Sequence, residues 1–174
     1  MVCTGNICRS PMAEIVLRER LTAHGLAEFV TVDSTGVSNE EAGNPIDYRA
    51  RKLLTAHNYE PYGLGAHRAR PLEVDHLRNR DLILTMTTQH ARAVRRLADI
   101  NQISLPLDTV RMFRSFDPAA PHAAAFQDEY LLDVADPWYG GMSDFELCLN
   151  QVEAAMDGLL SELQQRIHNG SGHR

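Results

Sequence analysis

The chain has 174 residues, 44% of them hydrophobic and 23% charged, which is the composition of one folded domain with a single core. The formal net charge of −6 argues against a nucleic-acid partner, which would need a local basic patch to overcome repulsion from phosphates. Three cysteines do not fit a disulfide framework, and we find neither a secretion signal nor an apolar run long enough to cross a membrane. We therefore expect a cytoplasmic protein with no membrane partner.

The first half of the chain alternates between helical and extended patterns. Ser10 followed by Pro11 predicts a helix with Ser10 as its N-cap, and Gly25 marks the end of that helix. Residues 29–34 form a β-rich run, and Pro45 opens a second helical stretch.

The second half continues this alternation. Residues 81–85 are a continuous apolar run, which predicts a strand buried on both faces, and a helix follows over residues 88–98. A short strand is expected at residues 109–112, and residues 118–136 are interpreted as a long loop. The whole pattern predicts a single α/β domain, residues 1–174, with a mostly parallel sheet.

The final helix has the most regular pattern in the chain. Its apolar residues recur at spacings of three and four: Phe145, Leu149, Val152, Met156, Leu159, Leu163 and Ile167. Cys148 lies on the same side of this helix and is expected to belong to the core. Residues 168–174 follow as a polar tail, which we expect to be flexible from residue 169 onward.

The segment with the clearest chemistry lies at the start of the chain. It reads Cys3-Thr4-Gly5-Asn6-Ile7-Cys8-Arg9-Ser10-Pro11. Gly5 permits a tight turn and Asn6 tolerates a left-handed backbone, so successive N–H groups can point inward at the start of a helix. The planar guanidinium of Arg9 can hold two phosphate oxygens at once. The segment therefore predicts an anion-binding loop.

The same positive field stabilises a thiolate on Cys3, the form of cysteine that acts as a nucleophile. Ser10 is placed to donate a hydrogen bond to that sulfur when it later acts as the leaving group. The alternative interpretation is that Cys3 is a small buried residue and that Ser10 only caps the helix.

Residues 3–11 resemble the phosphate loop of the low-molecular-weight protein tyrosine phosphatases, which reads Cys-(Thr/Leu)-Gly-Asn-Ile-Cys-Arg-Ser-Pro. The resemblance extends over almost the whole chain. It implies a four-stranded parallel sheet flanked by helices, with the phosphate loop at the first strand–helix junction. It also implies a phosphotyrosine-containing protein or peptide as substrate, Cys3 as nucleophile, Arg9 as phosphate clamp, a phosphocysteine intermediate, no metal and no cofactor.

A second segment resembles the acid loop of the same family, which usually reads Asp-Pro-Tyr-Tyr-Gly. Here the residues are Asp136-Pro137-Trp138-Tyr139-Gly140-Gly141. The resemblance implies that Asp136 protonates the leaving tyrosine and then activates water, and that Ile7, Trp138 and Tyr139 form a wall around the substrate ring. Without the resemblance, the segment is equally well interpreted as a turn before the final helix.

Further roles follow from the resemblance alone. Asn6, Ser10, Ser34 and His67 match four family positions that hydrogen-bond together and hold the phosphate loop open, although His67 by itself would more often be a surface histidine. Cys8 matches a cysteine that forms a reversible disulfide with the nucleophile and protects it from further oxidation.

The chain departs from the family pattern in several places. Only Met1 and Val2 precede Cys3, where the family has a complete central strand, so we expect a truncated first strand. Glu40, followed by Glu41, stands where the family often has Trp in the substrate wall. Two carboxylates there would repel acidic peptides, although both residues also fit an ordinary solvated loop.

Two more departures concern the second half of the chain. Thr87 stands where the family commonly has Asp, and residues 119–132 resemble an insertion beside the acid loop that could recognise a partner.

Three other functions remain open on related chemistry. A protein arginine phosphatase shares the fold, but that branch typically has Thr at the position of Ile7, whose apolar side chain favours an aryl ring. An arsenate reductase needs additional redox cysteines, which Cys148 alone in a helix does not supply. A non-catalytic phosphotyrosine-binding module would need neither Cys3 nor Asp136.

Overall fold

The computed structural model describes residues 1–59 and 65–171 and contains a four-stranded parallel sheet with helices on both faces. The strands are β1 (Val2–Cys3), β2 (Thr35–Gly36), β3 (Ile83–Thr85) and β4 (Val110–Met112), in the spatial order β2-β1-β3-β4. In the central strand, Val2 is paired with Thr35 on one side and Thr85 on the other. This confirms the predicted fold class.

Helices follow the strands and cover the sheet. They are α1 (Arg9–Ala23), α2 (Tyr48–Ala56), α3 (Val74–Asn79), α4 (Thr88–Ile100), α5 (Met142–Ala154) and α6 (Met156–Ser171), with 3₁₀ turns at Phe113–Phe116 and Phe126–Leu132. All strands run parallel, so their carboxyl ends, and the helix N-termini that follow β1 and β3, lie at one edge of the sheet.

The core has one part on each face of the sheet. The larger part packs α1, α2, α5 and α6 together through residues such as Met12, Leu54, Phe113, Phe145 and Leu159. The smaller part packs α3 and α4 against β3 and β4, through residues such as Leu77, Ile83, Val94, Val110 and Met112. Burial on both faces explains the apolar run Leu82-Ile83-Leu84 at the start of β3.

The predicted bounds of the first helix and of β2 need correction. The helix begins at Arg9, so Ser10 lies inside its first turn and is not the N-cap, although Gly25 does end it with a φ of 68°. The extended run at residues 29–34 is not a strand. β2 pairs with β1 in the register Val2 to Thr35 and Cys3 to Gly36, so the paired residues of this segment are Thr35–Gly36, after the predicted run.

Other bounds differ in the same way. The second helix begins after Asp47, whose side chain accepts a hydrogen bond from the Arg49 N–H and caps it, rather than at Pro45. The strands expected at residues 81–85 and 109–112 and the helix expected at 88–98 are confirmed with small shifts.

The apolar stripe of the last helix is confirmed, but one helix becomes two. The helix is interrupted at Ala155, between α5 and α6, while the apolar stripe stays buried on both sides of the interruption. Residues 118–136 are not wholly irregular, because they contain the 3₁₀ turn Phe126–Leu132. α6 continues to Ser171, and residues 172–174 of the expected tail lie outside the described residues.

Gly158 allows α6 to approach the 3₁₀ turn Phe113–Phe116. A Cβ atom built on Gly158 would be 2.2 Å from the carbonyl oxygen of Phe116, which is part of the backbone and cannot rotate away. We therefore expect Gly158→Ala to lower the free energy of unfolding by about 1–3 kcal/mol through overpacking, despite the higher helix propensity of alanine.

Chemical denaturation measures this effect. Ser161→Ala, at an exposed position of the same helix, is the matched control and should change stability by less than about 0.5 kcal/mol. A Gly158→Ala protein as stable as the wild type would show that α6 shifts freely.

Candidate active site

The phosphate loop connects the central strand to the first helix. β1 ends at Cys3, α1 begins at Arg9, and the intervening residues turn tightly around the Cys3 sulfur. The Asn6 backbone has a φ of 59°, the left-handed conformation expected from the sequence, and its N–H donates to Cys3 Sγ at 3.3 Å. Ser10 Oγ lies 3.0 Å from the same sulfur. Cys3 itself is buried, with 2% of its surface exposed.

Close packing beneath the loop requires a glycine in β2. A Cβ atom on Gly36 would be 2.5 Å from the Thr4 carbonyl oxygen and 3.1 Å from the Asn6 nitrogen. β2 can therefore pair with β1 and lie directly under the loop only because residue 36 has no side chain.

The four residues expected to hold the loop are brought together. Asn6 Nδ2 donates to Ser10 Oγ at 2.9 Å and to Ser34 Oγ at 2.7 Å. His67 Nε2 lies 2.7 Å from the Asn6 carbonyl oxygen, so that nitrogen carries the proton and donates. Burial lowers the pKa of His67 below its usual value, which favours the neutral ring.

Two charged residues complete this network, and the sequence analysis did not identify them. Ser34 Oγ donates to the carboxylate of Glu14, which also pairs with Arg18 at 2.6 Å. The Arg70 N–H donates to Asn6 Oδ1 at 3.0 Å. Every polar atom of the Asn6 side chain thus has a hydrogen-bond partner inside the protein, which is what a buried amide requires.

Arg9 connects the phosphate loop to the acid loop. Its Nη2 atom donates to Asp136 Oδ2 at 2.6 Å and to Thr4 Oγ1 at 3.3 Å, and its Nη1 atom donates to the Val134 carbonyl at 3.3 Å. The Arg9 side chain is 5% exposed, whereas that of Asp136 is 43% exposed. The guanidinium is therefore buried and fully engaged, while the carboxylate lies at the rim of the site.

The walls of the site agree only partly with the sequence analysis. A cavity of about 50 Å³ is bordered by Cys3, Thr4, Gly5, Ile7, Cys8, Arg9, Asp136 and Trp138. Tyr139 and Glu40 were expected in this wall but do not line the cavity: the Tyr139 side chain is 95% exposed, and Glu40 is exposed on its loop. Of the two adjacent aromatic residues, only Trp138 borders the cavity in this structure.

Glu41, rather than Glu40, borders the phosphate loop. A Cβ atom on Gly5 would be 2.8 Å from Glu41 Cγ, and Asn44 Nδ2 holds the Glu41 carboxylate at 2.7 Å. The expected repulsion of acidic peptides stays a prediction, and it concerns Glu41 more directly than its neighbour.

A larger cleft of about 590 Å³ lies beside α1. It is bordered by residues that include Glu14, Arg18, Ser34, His67, Arg68 and Arg70. Its described lining residues include no cysteine, so we place the chemistry at the smaller cavity around Cys3.

Arg49 joins α2 to the acid loop and was also missed. Its guanidinium pairs with both Asp47 oxygens at 3.0 and 2.9 Å and donates to the Gly140 carbonyl at 2.9 Å. It also lies over the rings of Trp138 and Phe145, with its central carbon 5.8 and 4.6 Å from the ring centroids. The Asp47-x-Arg49 spacing before a helix was the only sequence signal for this contact.

Within residues 1–59 and 65–171, no group of three metal-ligating side chains is arranged to hold an ion. Among the helices of this described part of the chain, none is long and apolar enough to span a membrane.

The sequence model of the low molecular weight phosphotyrosine protein phosphatase family matches residues 1–169 of this chain. The chain belongs to this family. It is 41% identical over 166 residues to the low molecular weight protein-tyrosine-phosphatase of Streptomyces coelicolor, covering 95% of this chain and 93% of the relative. It is 40% identical over 167 residues to the low molecular weight protein-tyrosine phosphatase A of Mycobacterium bovis, covering 95% and 91%.

A solved structure supports the same assignment. The protein tyrosine phosphatase from Entamoeba histolytica superimposes with a TM-score of 0.77 at 26% identity and covers 94% of each chain. The fold, the loop geometry and the named relatives therefore agree that this chain is a protein tyrosine phosphatase of the low-molecular-weight type.

Proposed function

We propose that this phosphatase hydrolyses phosphotyrosine monoesters in proteins or peptides through a phosphocysteine intermediate. The proposal rests chiefly on one observation: Cys3, Arg9 and Asp136 border a single cavity, although Arg9 and Asp136 are 127 positions apart in the chain. A nucleophile, an anion clamp and a carboxylic acid are the groups that this reaction requires.

In the first step, the Cys3 thiolate attacks phosphorus and the bond to the tyrosine oxygen breaks. Asp136 gives its proton to that leaving oxygen. Arg9 and the inward N–H groups of the loop bind the remaining phosphoryl oxygens and stabilise their negative charge in the transition state.

In the second step, Asp136, now a carboxylate, takes a proton from water as the water oxygen attacks phosphorus. The sulfur–phosphorus bond breaks and the Cys3 thiolate leaves. Ser10 Oγ, 3.0 Å from the sulfur, is placed to donate a hydrogen bond to this leaving group.

The contact between Arg9 and Asp136 has to be exchanged during this cycle. A phosphoryl group in the loop needs the same Nη2 that donates to Asp136. Substrate binding therefore replaces an internal ion pair with an ionic contact to phosphate and releases the carboxyl group toward the leaving oxygen.

The alternatives have less support. Ile7 borders the cavity with a branched apolar side chain, which suits an aryl ring better than a phosphorylated guanidinium. Cys148 is completely buried in α5, so it cannot serve as the accessible redox cysteine of an arsenate reductase. All three cysteines are free thiols, which supports a cytoplasmic location.

Turnover of an aryl phosphate tests the proposed function directly. We expect the wild type to hydrolyse p-nitrophenyl phosphate and Cys3→Ser to lose activity to background. On phenyl phosphate, whose leaving group needs a proton, Asp136→Asn should lose about 10²–10⁴-fold in rate, the usual contribution of acid–base catalysis. Thermal unfolding of each variant confirms that it is folded.

Two further assays of the wild type discriminate among the alternative functions. Binding of a phosphotyrosine peptide without turnover by the wild type would identify a non-catalytic module. Faster turnover of phosphoarginine than of phosphotyrosine would identify an arginine phosphatase.

Arg49 generates a second prediction, because it contacts the acid loop at Trp138 and Gly140. Replacing it with methionine should leave Asp136 poorly placed to protonate the leaving oxygen. We therefore expect Arg49→Met to reduce kcat/KM at least about tenfold for poor leaving groups such as phenol, and less for nitrophenol, which needs little protonation. A series of aryl phosphates of graded leaving-group acidity measures this dependence.

Two comparisons control this experiment. Arg51→Met, at an exposed position of the same helix, should leave the series unchanged. In an Asp136→Asn background, Arg49→Met should have little further effect, because the acid is already lost. An equal loss for every leaving group would mean that Arg49 supports only the fold.

Cys8 generates a third prediction, on reversible oxidation. Peroxide would oxidise the Cys3 thiolate to a sulfenic acid, and the Cys8 thiol would then attack that sulfur to form a disulfide and release water. Both thiols are buried on the same loop, and burial raises the pKa of Cys8, which keeps it protonated before this step.

We expect the wild type to recover activity when a thiol reductant follows peroxide, and Cys8→Ser to recover much less because its Cys3 oxidises further. Cys148→Ser is the matched control and should recover like the wild type. Full recovery of Cys8→Ser would exclude a protective disulfide.

A further inference from the structure

His90 is a buried histidine in the first turn of α4, next to the phosphate loop. It is 3% exposed, and both ring nitrogens have partners. Nε2 lies 3.0 Å from Thr4 Oγ1, and Nδ1 lies 2.9 Å from Thr87 Oγ1. His90 therefore joins the phosphate loop to the junction between β3 and α4.

This connection continues to Arg9. Thr4 Oγ1, which contacts His90, also accepts a hydrogen bond from Arg9 Nη2 at 3.3 Å. The same Nη2 donates to Asp136 at 2.6 Å. A continuous hydrogen-bonded chain thus runs from Thr87 through His90 and Thr4 to the guanidinium.

The ring of His90 is neutral. Burial lowers its pKa to about 3, and the positive charge of Arg9 acts in the same direction. A neutral imidazole has one donor and one acceptor, so it donates to one threonine hydroxyl and accepts from the other. In either tautomer, the Thr4 oxygen keeps a lone pair for Arg9, and its position is set by the ring.

The uncharged Thr87 fits this arrangement. Its oxygen accepts from the His90 backbone N–H at 3.4 Å as the N-cap of α4, and it holds Nδ1 without adding charge. A carboxylate at position 87 would favour an imidazolium close to Arg9, and two cations would then face each other across Thr4.

We propose that His90 is a positioning residue for phosphate binding, which holds Thr4 Oγ1 so that the Arg9 guanidinium stays oriented toward the phosphate site. The inference rests on the proposed role of Arg9 as phosphate clamp. The support from His90 matters most when Asp136 releases Arg9. Among the contacts described above, Thr4 and the Val134 carbonyl are then the remaining partners of the guanidinium.

If His90 only capped α4 or filled space, its contact with Thr4 would not affect phosphate binding. The cap contact uses Nδ1 and Thr87, whereas positioning of Arg9 uses Nε2 and Thr4. Two amide substitutions separate these contacts, because the asparagine amide reaches about as far as Nδ1 and the glutamine amide about as far as Nε2.

The experiment compares His90→Gln and His90→Asn by competitive inhibition with inorganic phosphate and by calorimetric binding of the same anion. We expect His90→Asn to weaken phosphate binding about tenfold, the effect of losing support for one charge-assisted hydrogen bond, and His90→Gln to stay within about threefold of the wild type. Gln89→Leu, at the exposed neighbouring position, is the control and should match the wild type.

A double substitution tests the path through Thr4. In a Thr4→Val background, His90→Asn should cause no further loss of phosphate binding. Equal phosphate affinity of the glutamine and asparagine variants would overturn the inference, as would an undiminished effect of His90→Asn without the Thr4 hydroxyl.

Calorimetric binding of phosphate tests the role of His90 independently of the proposed catalytic function. A wild type that binds phosphate but does not turn over aryl phosphates would contradict the catalytic proposal, yet the comparison of His90 variants would still decide the role of His90. A wild type with no affinity for phosphate would contradict both.

Discussion

The left-handed backbone of Asn6, with a φ of 59°, turns the phosphate loop so that its N–H faces the Cys3 sulfur. This conformation is costly for most residues, and here it is stabilised by the amide side chain, which donates to Ser10 and Ser34 and accepts from the Arg70 N–H. Because these bonds are buried, losing one would leave an unsatisfied polar group in the core. The inward orientation of the Asn6 N–H follows from this one anchored turn.

The parallel sheet explains how distant segments support this loop. The carboxyl ends of β1 and β3 lie at the same edge, so α1 and α4 begin beside one another and deliver Arg9 and His90 to adjacent positions. α2 delivers Arg49 from the other side, through its hydrogen bond to Gly140 in the acid loop. The phosphate loop is thus held by buried contacts, and the acid loop is held at its edge by a guanidinium.

Arg9 and Asp136, the two charged residues that meet in the site, differ in how deeply they are buried. Arg9 is almost completely buried and has partners on both terminal nitrogens, whereas the Asp136 carboxylate is nearly half exposed at the rim. An enzyme that uses one carboxyl group as acid and then as base needs that group to exchange partners between steps. A buried Arg9 beside an exposed Asp136 is compatible with such an exchange.

The sequence alone was sufficient for the features that depend on local order. Residues 3–11 encode a loop and a helix start in consecutive positions, so the left-handed conformation of Asn6 and the tight turn around Cys3 could be predicted. The strand β3 and the helix α4 were also predicted, because the pattern of apolar residues that marks each of them lies within a short stretch of the chain. The predicted strand at residues 29–34 failed for the opposite reason: pairing depends on the partner strand, not on the β-propensity of the run itself.

Contacts between segments far apart in the chain were decided by the tertiary structure. Sequence patterns do not show that Trp138 faces the cavity while Tyr139 faces solvent, or that Glu41 rather than Glu40 lies over Gly5, because each depends on which way a turn is oriented. The partners of Arg49 and His90 are likewise set by the packing of helices that follow different strands. The sequence by itself thus determined the chemical groups and their local order, and only the folded chain decided which of them meet, since that depends on long-range packing and not on spacing.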